Sequence, residues 1–232
     1  MPDNGDALGI FGGTFDPPHI AHLRLAIEAR EMLGLKQIVF VPAGSPPLRD
    51  APQASPQDRL SMVKLAIADL PYCHIDASEI FASGPSYTIT TLERLRQQHG
   101  QQRPLVLLLG ADAFARLPAW HRWRELFALA HIGVATRPGH STLPQKVGPG
   151  GTAASAWEIE LAAEYTTRIG STADLAQAPA GRIVPFDITP LDVSATLIRQ
   201  RLAVGRDARH LVSAAVLDYI DSHAIYRTCH GH

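Results

Sequence analysis

The chain has 232 residues, 46% hydrophobic and 19% charged, with a formal net charge of −1. That is the composition of a globular protein with a sizeable core, and its balanced charge offers no basic face for general nucleic-acid binding. No apolar run reaches the roughly 20 residues needed to span a bilayer, and the acidic stretch MPDNGD lacks the basic region of an export signal, so a cytoplasmic protein with no membrane or nucleic-acid partner is expected. Cys73 and Cys229 stand in no metal or redox spacing, which suits reduced thiols.

The apolar run 7–11 predicts a strand running into a Gly12-Gly13 turn. Ile20, Leu23 and Ile27 at helical spacing predict a helix over 19–33, stopped by Gly34. Residues 37–44 read as a second buried strand, at the distance of a βαβ crossover. Ser55 as N-cap, Pro56 at the first helical position and Asp58 as capping-box acid open a helix over 55–70. A helix over 87–100 closes at Gly100, and 104–110 is nearly all apolar, as a central parallel strand would be. Residues 131–139 give a short strand and a Pro-Gly turn. The stretch 140–182, rich in Gly, Ala, Ser and Pro, is expected to be a mobile excursion around a short helix at 157–165. A strand at 182–186 and two helices, 194–204 and 210–222, separated by Gly205, complete the chain. No internal repeat is found. Alternating strands and helices predict an α/β, doubly wound, mostly parallel sheet with helices on both faces. A single domain over 1–232 is expected, with a small C-terminal helical subregion over 194–225.

The segment 12-GGTFDPPHIAH-22 concentrates the chemistry. Gly12 and Gly13 at a strand end let backbone approach a phosphate or ribose closely. Asp16, Pro17 and Pro18 precede a helix whose free N–H groups and positive dipole end attract anions. His19 and His22, three apart, lie on one face of the first turn. Alone, this leaves open an anion site, two surface histidines, or a zinc site lacking its third and fourth ligands. The glycine pair matches neither the Walker lysine spacing nor the three-glycine dinucleotide fingerprint.

GGTFDPPHIAH resembles the HxGH signature of the nucleotidylyltransferases, and its surroundings are similar to those of the bacterial nicotinate-nucleotide adenylyltransferases. The resemblance runs from Gly9 to about Arg227, apart from 140–182. It implies a Rossmann-like nucleotidylyltransferase fold that joins ATP and nicotinate mononucleotide into deamido-NAD and pyrophosphate by in-line attack. No protein nucleophile and no protein-bound metal are required, Mg²⁺ being carried with ATP, and a monomer or small homo-oligomer is expected. The implied catalytic residues are His19, His22 and Arg199, the last from 193-VSATLIR-199, which is similar to the family's ISSTxIR. Pairing with phosphate is expected to favour the protonated histidines. ATP is implied to contact Gly12, Gly13, Phe15, Ser194 and Thr196, together with Gly110 and Asp112 of 110-GADAF-114 and, from 42-PAGSPPLR-49, Arg49. The mononucleotide is implied to meet Thr14, Thr88, Trp120, the backbone N–H of His121, and Arg137, whereas Trp123 reads as core.

Three departures stand out. Ala21 replaces the glycine of HxGH, Leu48-Arg49 replaces the family's His-Lys, and Thr90 stands where SYTxDTL has aspartate. Competing readings are a sister transferase acting on phosphopantetheine, nicotinamide mononucleotide or a phospho-alcohol, a nucleotide-sensing module without catalysis, and a dinucleotide-dependent oxidoreductase.

Overall fold

The computed structural model describes residues 6–48, 50–136 and 156–227. In chain order these form β1 (Leu8–Gly13), α1 (Ile20–Leu33), β2 (Gln37–Pro42), α2 (Pro56–Ala66), β3 (Cys73–Ile75), α3 (Ser78–Phe81) and α4 (Thr88–His99). There follow β4 (Leu105–Gly110), α5 (Ala111–Ala115), α6 (Leu126–Leu129), β5 (His131–Thr136), α7 (Ala156–Arg168), β6 (Ile183–Asp187), α8 (Ala195–Ala203) and α9 (Ala214–Ser222). Short 3₁₀ turns occupy Leu117–Ala119, Trp123–Glu125 and Thr172–Ala176.

The six strands form one sheet in the order β3-β2-β1-β4-β5-β6, and the β1–β4, β4–β5 and β5–β6 pairings are parallel. This is the doubly wound order expected from the alternation of elements; such sheets take ligands outside the carboxyl ends of the strands where the order reverses. Pro185, which has no N–H to donate, sits in β6 at the sheet edge, where that loss is tolerated.

By internal contacts the chain divides into two compact, interleaved units. The first comprises Met1–Phe11, Ile27–Ile38 and Tyr87–Pro190. Its centre is β4, every residue of which from Leu105 to Leu109 is buried. Strand glycines make room for Leu108: a Cβ at Gly9 or at Gly133 would meet it at 3.3 or 3.1 Å. The second unit comprises Gly12–Ala26, Val39–Ser86 and Leu191–His232. Its core joins Met62 of α2 to Ile198 of α8 and to Val216 and Ile220 of α9, with Ala54, Ala208, Val212 and Tyr226 around them.

Several expectations need correction. Gly12 and Gly13 are the last residues of β1, not a turn; the turn comes at Thr14–Pro18, with Phe15 at φ 50 and a cis Asp16-Pro17 bond. Helix α2 stops at Ala66, four residues early, though its start is as expected, the Ser55 hydroxyl accepting the Asp58 N–H at 3.1 Å. The Asp58 carboxylate accepts the Ser55 hydroxyl at 2.6 Å and the Tyr219 hydroxyl at 2.9 Å. Helix α9 begins at Ala214, capped by the Ser213 hydroxyl, because residues 207–212 turn back on themselves through an Arg209–Val212 bridge.

The stretch 140–182 is not a structureless excursion where it is described. Residues 156–182 hold the 13-residue helix α7 and a 3₁₀ turn with a reciprocal Ser171/Asp174 capping box. Leu161 and Leu175 anchor them, at 2% and 0% exposure. Alanine-rich composition, read as a sign of looseness, is also good helix-forming composition, and two buried leucines suffice to dock it. Residues 140–155 of that stretch lie outside the described residues. Among the described residues no helix is long and apolar enough to cross a membrane.

Candidate active site

Within the second unit, β1 delivers its backbone to solvent at Gly12, where an added Cβ would meet nothing within 4 Å among the described residues. Gly13 differs: the Phe15 ring lies over it, 2.8 Å from where a Cβ would be. Phe15 is buried at 2% exposure, between the His22 ring (5.0 Å, edge-on) and the Phe40 ring (5.6 Å).

His19 precedes the first turn of α1, and His22 lies in it. Their rings stack at 3.7 Å and 26°. The His19 backbone N–H donates to Nδ1 of His22 at 3.1 Å, which leaves the His22 proton on Nε2, the nitrogen available as a donor. His19 is 7% exposed and its Nδ1 is buried with no partner among the described residues. Burial in an apolar setting pushes its imidazole down to about 4. Burial thus favours the neutral form of His19 before any phosphate is bound. Desolvation of His19 opposes the charge that a phosphate would favour. A neutral imidazole still donates one hydrogen bond.

Arg199 comes from the second turn of α8, whose Ser194 hydroxyl accepts the Leu197 N–H at 3.2 Å and so acts as the helix cap. Its guanidinium donates to the Asp16 carbonyl at 2.7 Å, lies 3.7 Å from the Asp16 carboxylate, and reaches the Thr196 hydroxyl at 3.4 Å. Ser194 and Thr196 are exposed. The fold therefore brings Arg199 to the turn that leads into His19, across most of the sequence.

Two residues of this cluster carry no motif signal of their own. Arg59 of α2 is 0% exposed and donates to three carbonyls, Thr14 at 2.8 Å, Ala43 at 2.6 Å and Gly44 at 3.0 Å, tying together the loops that follow β1 and β2. A Cβ at Gly44 would collide with the Glu79 carbonyl, so that loop is also held from its other side. Tyr226 donates to Asp16 Oδ1 at 2.7 Å. A buried arginine and a buried tyrosine hydroxyl look like ordinary helix and tail residues in the sequence; only their solvation would have flagged them.

The first unit carries the predicted residues Gly110, Asp112, Thr88, Trp120 and His121. Gly110 closes β4, and a Cβ there too would meet nothing within 4 Å among the described residues; Asp112 follows in α5 with its carboxylate exposed. Thr88 opens α4. Trp120 is half-buried, His121 is exposed, and the His121 ring lies 4.5 Å from that of Tyr87, so the start of α4 and the 120–121 turn are brought together. The turn is fixed further by Arg122, in the left-handed region at φ 53, whose guanidinium spans Glu125 at 2.8 and 2.6 Å and Glu93 of α4 at 2.9 Å. Trp123 is buried against Phe127, the core role expected of it. Thr90 is exposed. Arg49 and Arg137 lie outside the described residues. Among the described residues no three His, Cys, Asp or Glu side chains converge as a metal site would require.

A cytidylyltransferase-like family model matches residues 10–201. A protein of Dechloromonas aromatica (strain RCB) named probable nicotinate-nucleotide adenylyltransferase is 49% identical over 223 residues, spanning 96% of this chain and 98% of its own. The chain belongs to the nicotinate-nucleotide adenylyltransferase family. A relative of the same name from Pseudomonas putida (strain W619) is 44% identical over 220 residues, covering 95% of this chain and 94% of its own. In fold, the chain is similar to Plasmodium falciparum nicotinic acid mononucleotide adenylyltransferase, solved in complex with APC and in complex with NaAD. Both superpose with a TM-score of 0.63 at 16% identity, covering 96% of this chain and 98% of theirs.

Proposed function

We propose that this adenylyltransferase joins ATP and nicotinate mononucleotide in NAD biosynthesis, the 5′-phosphate of the mononucleotide attacking the α-phosphorus of ATP in line while pyrophosphate leaves. No bond to the protein forms, so catalysis rests on positioning two anions and stabilising charge on the transferring group. The observation that supports this most is the stacked His19–His22 pair at the start of α1, with Arg199 drawn to the turn just before it. Nε2 of His22 and the guanidinium of Arg199 then serve as donors to phosphate oxygens. The open backbone at Gly12 suits close approach of the nucleotide.

In the first unit, Gly110 and Asp112 serve the ribose, and Trp120 with the backbone at His121 and Thr88 serve the pyridine ring and its carboxylate. Mg²⁺ enters on the phosphates of ATP and neutralises part of their charge. The donor set fits that route: the Asp16 carboxylate is already taken by Gln53 N–H at 2.9 Å, Ala54 N–H at 3.1 Å and Tyr226, so it is committed to the protein. The whole chain works as one nucleotidylyltransferase domain, the interleaving of its two units leaving neither as a separable stretch of sequence. Its working place is the cytoplasm, as a monomer or small homo-oligomer without nucleic-acid partners.

Pyrophosphate release measured with ATP and, in parallel, nicotinate mononucleotide, nicotinamide mononucleotide or phosphopantetheine tests this. Nicotinate mononucleotide should give the highest kcat/KM. Preference for phosphopantetheine, or no release with any of the three, would overturn the reading.

A further inference from the structure

The hydrogen bonds of the second unit converge on one residue that no motif role covers. Asp16 is 4% exposed, yet its carboxylate accepts from Gln53 N–H, Ala54 N–H and the Tyr226 hydroxyl, and its carbonyl accepts from Arg199. Three separate segments are thereby fastened to the turn at a residue two positions before Pro18 and three before His19. One is the loop before α2, one is α8, and one is the tail beyond α9. The loop between α8 and α9 makes a further attachment nearby, the Ile20 N–H at the first residue of α1 donating to the Leu211 carbonyl at 3.0 Å. A buried carboxylate bound this fully is costly to assemble, and removing one donor leaves the remainder under-satisfied.

The geometry points to Tyr226 as a positioning residue for catalysis: through its hydroxyl on Asp16 it sets where Arg199 and the histidine-bearing start of α1 stand. This rests on the adenylyl-transfer reading above. The Tyr226 ring is itself packed, at 9% exposure, with Ile198, Val212 and Val216 in its cluster, so the ring holds the tail in place and the hydroxyl aims Asp16. Arg199 has little freedom to compensate. Its Nε is buried without a partner among the described residues, and its terminal nitrogens take their direction from the Asp16 carbonyl and Thr196. Displacing Asp16 therefore displaces a donor needed most when charge builds on the transferring phosphoryl group, an effect on kcat before KM.

The test is Tyr226→Phe, which keeps the ring and deletes the hydroxyl, alone and combined with Arg199→Ala, with Asp16→Asn as a second, harsher variant. Tyr226→Phe should lower kcat roughly tenfold, well short of the 10²-fold that a 1 Å misplacement brings, while the KM values for both substrates stay within about twofold. In the Arg199→Ala background the same change should add almost nothing, because the residue it acts through is gone. Amide exchange at Gln53 and Ala54, followed without any substrate, should speed up in Tyr226→Phe and Asp16→Asn alike. An unchanged kcat in Tyr226→Phe, or an equal loss with and without Arg199, would overturn the inference. Unaltered exchange at Gln53 and Ala54 would overturn it even in a protein that failed to make deamido-NAD, an outcome that counts separately against the proposed reaction.

Discussion

Replacing Arg59 by Met should be among the most damaging single changes in the second unit. The guanidinium is fully buried and donates to the carbonyls of Thr14, Ala43 and Gly44, and among the described residues it makes no hydrogen bond to a carboxylate. Hydrogen bonds from a charged donor contribute about 1.5–3 kcal/mol each, so three would reach roughly 5–9 kcal/mol if they added. They do not add, for two reasons. The loops after β1 and β2 can turn their carbonyls partly towards water, and removing the guanidinium removes its own desolvation cost, the cost that also depresses its pKa. The expected loss is about 3–5 kcal/mol, a large share of the 5–15 kcal/mol of a typical domain. Arg59→Lys keeps the charge but not the planar fork; an ammonium serves one or two of the three carbonyls, and about half the loss is expected. Urea unfolding measures both variants through the shift of the midpoint at constant slope. A loss under about 1 kcal/mol in Arg59→Met would refute the idea that these carbonyls depend on a buried cation.

Three further outcomes follow. His22→Ala should cost a factor of about 10² or more in kcat, comparable to losing one transition-state donor, and near-normal turnover would remove His22 from the mechanism. Gly12→Ala should leave the thermal midpoint unchanged, since an added Cβ meets nothing within 4 Å among the described residues, yet raise the KM for ATP; an unaffected KM would mean that no ligand comes close to that backbone. Stability should fall as the pH drops through the histidine range. Burial holds His19 at about 4, below its ordinary 6.5, and lowers His131, whose Nδ1 accepts the Arg182 N–H. The unfolded chain therefore binds more protons below 6.5, and the stability present above that pH is lost as the pH falls towards 4. Urea midpoints between about pH 7 and 5 should show a decline on the order of 1–2 kcal/mol, and a flat profile would contradict the buried neutral state of both rings.

What the sequence alone determined was whatever local signals specify. The apolar runs ending at Gly13 and Gly110, the helical spacing from Ile20 to Leu33, the Ser55-Pro56 start and the Gly100 stop located the main strands and helices, because period and end-capping act within a few residues. The same locality exposed His19 and His22, whose spacing on a helix start is visible in four letters. Short elements such as β3, α3 and α5 escaped, since three to five residues carry too little periodicity to read. Only the tertiary structure decided that α7 is docked by Leu161, that burial holds the His19 pKa down, that Arg59 ties the loops after β1 and β2, and that Asp16, Arg199 and Tyr226 form one network. Burial and hydrogen bonding between residues up to 210 positions apart set those properties, and neither has a signature in the letters on either side.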